Sequence, residues 1–590
     1  MEQLYKMGIY DYIVIAFYFI FMLTVGFVFS RSSKNSSDYL RGGGAMTWWM
    51  TGGSVYMATF SAWTFVGCAG KIYKSGSLII LLFLFNAVSM LFVARFIAHR
   101  FRRLRAVTPM EAVCQRFGMA TQQVYSWLGS ALAFALSGIM LYTLAVFIAP
   151  LLGIEVRTCI ILVGIAITVL SVSGGAMAVM ASDFVQMLVI MTITIVAAVL
   201  VLRMPEVGGL SGFANKLPSY HFNWSELSNP RIIGLWIVAM FLNQFFTALN
   251  LNGNSGRFLC VQGDSHARKA ALLVAIGFFV GPLVWFIPPM AASFVIPDIA
   301  AQFPGLNNPE EAAYAAICMR IFPQGLMGLL ACGIFAATVS SMNTGLNLNS
   351  GIMVRNIYKP LFRKNASERE LLLAARIFTF LLGGWTILVG IWFSRLATMP
   401  LFEWTLLLAG LISIPMTMPL VLGIFIKRTP GWSAWSTVVI GLVTAYLVKF
   451  HLPVQWVADL LGIKSFLSKG EAGDLQFGAM VITVTGVTSV WFLLSRRFYR
   501  SVSPEQAQHI ETFFQNMNTP IADSLDENID SDLLQYKRVG QLSLIYGAAT
   551  FLGVLIPNPI IGRLCFAFCG GLILLVGSWL YWIYLRKHRK

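Results

Sequence analysis

Charge is scarce in this chain. Only 11% of its 590 residues are Asp, Glu, Lys or Arg, against 57% hydrophobic. With a mean hydropathy of +0.74, that excludes both a soluble globular protein and a disordered one. Cysteine is sparse too: the eight lie in or beside apolar segments without CxxC spacing, so neither a disulfide framework nor a zinc site is indicated. Cys565 and Cys569 share one helical face and read as packing residues. None of the six histidines pairs with another at ligand spacing, and His99, His266 and His588 adjoin basic runs and read as surface residues. Gly42-Gly43-Gly44 is followed by no Gly-Lys-Ser/Thr, so it is not a phosphate loop. The net charge of +17 would suit nucleic acid, but Lys and Arg fall in short runs between apolar segments, the pattern of cytoplasmic loops. No nucleic-acid role follows.

What the chain has instead is about fifteen apolar segments, each long enough to cross a bilayer. They lie near 8–30, 47–70, 77–99, 121–151, 155–174, 175–203, 231–252, 265–298, 323–358, 365–395, 400–427, 430–452, 475–497, 540–557 and 560–586. The first could be mistaken for a signal peptide, but it is long and runs into Arg31-Ser32-Ser33-Lys34 rather than a small-residue cleavage site. The basic loops are Arg100 to Arg105, Arg257 with Arg268-Lys269, Arg355 to Lys364, Lys427-Arg428, Arg496-Arg497 and Arg586 to Lys590. They fall on one side if the N-terminus is outside and the C-terminus cytoplasmic. Within residues 498–538, Ser503-Pro504 is a helix start leading to Ile510 and Phe513-Phe514, and Asp523 through Asp532 reads as a disordered acidic tether.

The polarity is concentrated in residues 333–350, inside the ninth segment. On a helix Ala337, Ser340, Ser341 and Thr344 share one face. Such hydroxyls also serve helix packing by bonding back to their own carbonyls. Asn343, Asn347, Asn349 and Ser350 add more polarity than packing needs, and hydroxyls without carboxylates suit a monovalent hard cation. Segment two is interrupted by Gly52-Gly53, Ser54 and the run Thr59 to Thr64, and segment seven by Asn243-Gln244, Asn250, Asn252 and Gly253. Two interrupted segments five apart are what an inverted repeat of five helices predicts, with a solute site between them. Asp183 is the one acid deep in apolar sequence and is a functional candidate by default; Glu403 begins its segment and reads as interfacial.

Several runs together resemble the sodium/solute symporter family: Ser37-Asp38-Tyr39 through Trp48-Trp49, Phe65-Val66-Gly67, Gly174-Gly175 to Gln186, Arg257 with Ala267-Arg268, and Ala336 to Ser341. The resemblance covers residues 8–497 and implies an all-α polytopic protein of the LeuT-type five-plus-five inverted repeat. Its parts would be a first helix and loop in 1–46, repeats in 47–203 and 231–427, two helices in 428–497, a cytoplasmic loop in 498–538 and two further helices in 539–590. It implies sodium held by the carbonyls of Met57, Phe60 and Ala337 with the hydroxyls of Ser340 and Ser341. It also implies a second ion or proton site at Asp183, where Asn343 and Thr344 depart from the serines of relatives with a second sodium. Thr59, Trp63 and Thr64 are expected to line the solute site, with Asn243, Asn250 and Asn252 competing for that role.

The expected function is a sodium-coupled secondary symporter, not an enzyme, in the inner or plasma membrane. It would import a small solute such as a sugar, an organic acid or an amino-acid-like molecule by alternating access. A proton-coupled symporter working through Asp183 is the alternative, although no lysine stands in for a cation near these positions. A transporter-like sensor would need an output module that 498–538 is too short to supply.

Overall fold

The computed structural model describes residues 7–30, 44–106, 108–173, 176–226, 228–250, 254–396, 400–463, 466–501, 503–521 and 529–588. Among these residues the chain is almost wholly helical, and its β pairing is one isolated bridge, Met46 to Val261. Thirteen helices are long and apolar enough to cross a membrane. The two expected segments outside that set are Val156–Ser173, which is short, and the second, which is broken.

The chain begins with α1 (Ile9–Ser30). Segment two then divides into α2 (Trp48–Thr59) and α3 (Ala69–Ser75), with Phe60 extended and a π-helical turn at Thr64–Cys68 between them. There follow α4 (Ile80–Phe92), α5 (Met119–Leu152), α6 (Val156–Ser173) and α7 (Ala176–Leu202). The second half holds α8 (Pro230–Leu249), α9 (Asp264–Trp285), α10 (Leu326–Ile352), α11 (Glu368–Leu396), and α12 (Leu401–Leu408) continuing through a π turn into α13 (Ile414–Phe425). Beyond it lie α14 (Trp432–Phe450), α15 (Lys469–Leu494), α16 (Pro504–Asn518), α17 (Ile529–Leu552) and α18 (Ile560–His588).

The two halves pack reciprocally. α2 lies on α9 as α8 lies on α4, α5 meets α11 as α10 meets α6, and α7 meets α10 as α12 meets α5. This exchange of partners is the signature of a five-plus-five repeat. The innermost helix is α10, whose apolar window is 94% buried against 28% for α11. The polarity of α10 is therefore hidden from lipid, as a membrane helix rich in hydroxyl and amide side chains requires. Its N-terminus is capped from α1: the Asp11 carboxylate, fully buried, accepts from the amides of Gly325 (3.0 Å) and Gly328 (2.8 Å).

Segment seven, expected to be interrupted, leaves the α-helix at Leu249 and resumes as a 3-10 turn over Asn254–Cys260, so it too is broken. Two sequence expectations are corrected here. His99 is buried rather than superficial, because α4 runs on toward Arg103 against α9. The acidic run reaching Asp532 does not end as disordered tether, since α17 starts at Ile529. Nor is α16 loose: Ser503 caps it, Ile510, Phe513 and Met517 are buried, and the Met517 carbonyl accepts from Arg103. Residues 37–39, 174–175 and 522–528 and Asn252 lie outside the described residues, as does the side chain of Thr344.

Candidate functional site

The break in segment two is held open by α10. The second half of the segment presents the Ala62 amide, which donates to Thr338 Oγ1 at 2.9 Å. The first half ends in carbonyls, and Ser341 Oγ lies 2.9 Å from Ala58 O, 3.2 Å from Phe60 O and 3.4 Å from Met57 O. Ala337 O is 3.2 Å from the same hydroxyl. Thr59 cannot serve both ends, because its own hydroxyl bonds back to Val55 and Tyr56. The expected residues Met57, Phe60, Ala337 and Ser341 therefore converge on one point, with a fourth carbonyl, that of Ala58. Four neutral carbonyl oxygens and one hydroxyl form a donor set for a hard monovalent cation. Among the described residues no group of three or more His, Cys, Asp or Glu could hold a metal ion.

Ser340, fully buried on the same helix, lies beside Asp183. Asp183 Oδ2 accepts from Ser54 Oγ at 2.6 Å and from Arg257 Nη1 at 2.9 Å. Arg257, placed by sequence among the loop charges, is 5% exposed and belongs to the interior. Its Nη1 donates as well to the carbonyl and hydroxyl oxygens of Ser54. The signal that could have found it is Asp183 itself, since a buried carboxylate demands a cation. Asn343 is not drawn into this network: its Oδ1 accepts from Ser171 on α6.

Between the two breaks lies a cavity of about 290 Å³. Thr59, Trp63, Asn243 and Asn250 line it, as does Ser341, whereas Thr64 is buried in the π turn away from it. Sequence reasoning missed Asn86, Ser137 and Thr143, single polar residues in α4 and α5 whose lining role depends on which face meets the breaks. Three of the lining groups, Trp63 Nε1, Asn86 Oδ1 and Asn243 Nδ2, are buried without a hydrogen-bond partner among the described residues. No Asp, Glu, Lys, Arg or His lines the cavity among those residues. At one edge Trp63 stacks on Phe402, centroids 5.5 Å apart and planes 4° from parallel. Phe402 is positioned by Glu311, whose Oε1 accepts from the Leu401 amide at 2.8 Å. Burial pushes the Glu311 carboxyl up to about 8.

A broken helix braced by hydroxyls of an inner helix beside an uncharged cavity defines a LeuT-type secondary transporter. The sodium:solute symporter family model matches residues 39–441, most of the chain, and the chain belongs to that family. It is similar to the sodium/sialic acid symporter of Proteus mirabilis, 27% identical over 462 residues, which cover 76% of this chain and 91% of the relative. It is 26% identical to sodium/glucose cotransporter 4 of Mus musculus over 74% of this chain and 68% of that one. The fold matches a solved Na+-coupled sialic acid symporter at a TM-score of 0.64, with 23% identity over 82% of this chain and 98% of the other. The protein is thus a multi-pass membrane protein and a sodium-coupled secondary symporter of a small polar solute.

Proposed function

We propose that one sodium ion is carried at Met57, Phe60 and Ala337, through their carbonyls, and at the hydroxyl of Ser341, with Ala58 adding a carbonyl and Ser340 linking the site to Asp183. The solute is an uncharged, polyhydroxylated molecule held by Thr59, Trp63, Asn243 and Asn250, with Asn86 opposite. The observation that carries this reading is the set of three orphaned donors and acceptors in a cavity without a charged side chain. Buried polar groups left unpaired cost free energy that only a hydrogen-bonding ligand returns, and a carboxylate solute would meet no cationic side chain among the described lining residues. Among the similar proteins, the sodium/myo-inositol cotransporters and the sodium/glucose cotransporter carry names that fit such a solute better than the sialic acid symporters do.

Ser341 touches both the ion site and the cavity wall, so sodium and solute share a boundary, and whatever sodium does to solute affinity the solute does to sodium affinity. With the N-terminus outside and the C-terminus cytoplasmic, the membrane potential adds about 2.3 kcal/mol per charge per 100 mV to inward movement. Uptake into proteoliposomes under an inward sodium gradient tests the reading against a panel of neutral sugars, polyols, sugar acids and amino acids. Sodium-dependent accumulation of a neutral polyol or sugar is the expected result. Accumulation of the acids alone would overturn the solute assignment.

A further inference from the structure

We propose that α16 is a cytoplasmic lid over the route by which solute leaves the central cavity, and that this route opens only when α16 releases the core. This rests on the solute cavity and the orientation proposed above. The route can be followed along α13: Met416 lines the cavity, while Leu420, Val421 and Ile424, one to two turns further on, line a void of about 20 Å³. Segment seven repeats the pattern, with Asn250 at the cavity and Leu249 at the void. The void has room for about one water and its walls are apolar except at Arg116, so it is a seal rather than a passage. Phe513 of α16 closes it and is 5% exposed. Charge sets the direction, because α13 runs into Lys427-Arg428 and α4 continues into Arg100 to Arg105, both basic loops.

The polar contacts of α16 reach three elements that border the void. Arg103, at the end of the α4 run, donates to the Met517 carbonyl at 3.0 Å and to the Asp264 carboxylate at 2.8 Å. The Asp264 amide, at the start of α9, donates in turn to the Ile521 carbonyl at 3.4 Å. Gln506 Nε2 donates to the Arg116 carbonyl at 3.3 Å, and the Arg116 guanidinium lies 5.5 Å from the Phe514 ring. Arg116, in the short helix Pro109–Phe117, also pins the end of α13 through the carbonyls of Gly423 and Ile426. Just beyond α13, Lys427 pairs with Glu511. The α4 run and α13 come from opposite halves of the chain, so an opening between them parts groups that α16 holds together. Release is feasible because α16 buries only Ile510, Phe513 and Met517 of its 15 residues, and it can detach without dismantling the bundle. Its far end stays tied, since α17 is anchored at the entry to α2: Gln535 accepts from the Thr47 amide at 3.0 Å and donates to the Ala45 carbonyl at 2.7 Å. α16 lies outside residues 39–441, the part that carries the family's pattern.

The test is labelling of Val421→Cys by a membrane-impermeant maleimide in inverted and right-side-out membrane vesicles carrying the full-length protein. Every native cysteine but Cys114 is buried, and the unsubstituted chain measures the background. Glu511→Lys, at a half-exposed position outside the void, turns an attraction to Lys427 into a repulsion and is expected to speed labelling in inverted vesicles by up to about fivefold. Should that variant fail to fold, Lys427→Glu sets up the same repulsion with the opposite sign. The charge swap Lys427→Glu/Glu511→Lys remakes the pair and is expected to return the rate to that of the Val421→Cys parent, which a mere loss of packing would not allow. A rate unchanged by the single variants, or one that the swap leaves raised, overturns the lid while the solute cavity stands. Faster labelling in right-side-out than in inverted vesicles overturns the orientation and the lid together.

Discussion

Replacing Ser341 by Ala removes one hydroxyl and changes little else, since the side chain lies on a helix whose backbone is held by its neighbours. That hydroxyl is within 3.4 Å of four carbonyl oxygens, three of them at the break. Bonds to a charged group contribute roughly 1.5–3 kcal/mol, and taking about 2 kcal/mol weakens sodium by roughly 30-fold. At a sodium concentration near 100 times the wild-type Kd, binding stabilises the folded protein by about 2.7 kcal/mol. The variant at the same concentration retains only about 0.9 kcal/mol by the same relation. For a chain of 590 residues an unfolding entropy of about 2.1 cal/mol/K per residue makes the wild-type shift roughly 2 °C and the variant's below 1 °C. The assay is the difference in Tm between sodium and choline chloride, so any loss of the hydroxyl's own bonds cancels. Ser341→Thr, which keeps the hydroxyl, should preserve much of the shift. An unchanged shift in Ser341→Ala, or an equal shift in potassium, would refute the assignment of this oxygen to a sodium site.

Glu311 governs a pH dependence at the far end of the cavity. Its folded-state pKa of about 8 lies above the unfolded value near 4.3, so its contribution to stability is complete below about pH 4.3 and is lost as pH rises through 8. Wild-type Tm should therefore fall between pH 6 and 9 more steeply than that of Glu311→Gln, and parallel slopes would count against it. Asp11→Ala strips the cap from α10 and should cost about 1–2 kcal/mol, a drop of roughly 1–2 °C, with the sodium shift unchanged; Asp11→Asn should lose less. Asn243→Ala removes a cavity donor and should raise KM for the transported solute up to about tenfold while sodium alone still stabilises the protein. A KM unaffected by that change would exclude Asn243 from the solute site.

Much of this protein was legible one segment at a time. Hydropathy located the spans, because lipid demands about 20 apolar residues in a row whatever those spans pack against. The breaks in segments two and seven were visible as glycine, asparagine and hydroxyl residues where an uninterrupted helix would have none. Ser341 could be picked out because the helix repeat alone places it on one face with Ala337 and Thr344. Other features rest on contacts between residues far apart in the chain, and no local pattern encodes those. Thr338 answers the Ala62 amide, and the Ala58 carbonyl turns toward Ser341, only because α10 crosses the break at one height. Arg257 looked like one more loop charge until the fold carried it to Asp183, 74 positions away. The cavity likewise draws on α4, α5, α8 and both breaks, and burial alone decides that Asn86 faces it and Thr64 does not. Composition and periodicity determined a membrane protein of broken helices with one hydroxyl-rich helix face, since both are properties of single segments. Which charge neutralises which, and which polar groups are left for a solute, was decided by tertiary packing, because pairing in a low dielectric depends on distances that only the assembled bundle sets.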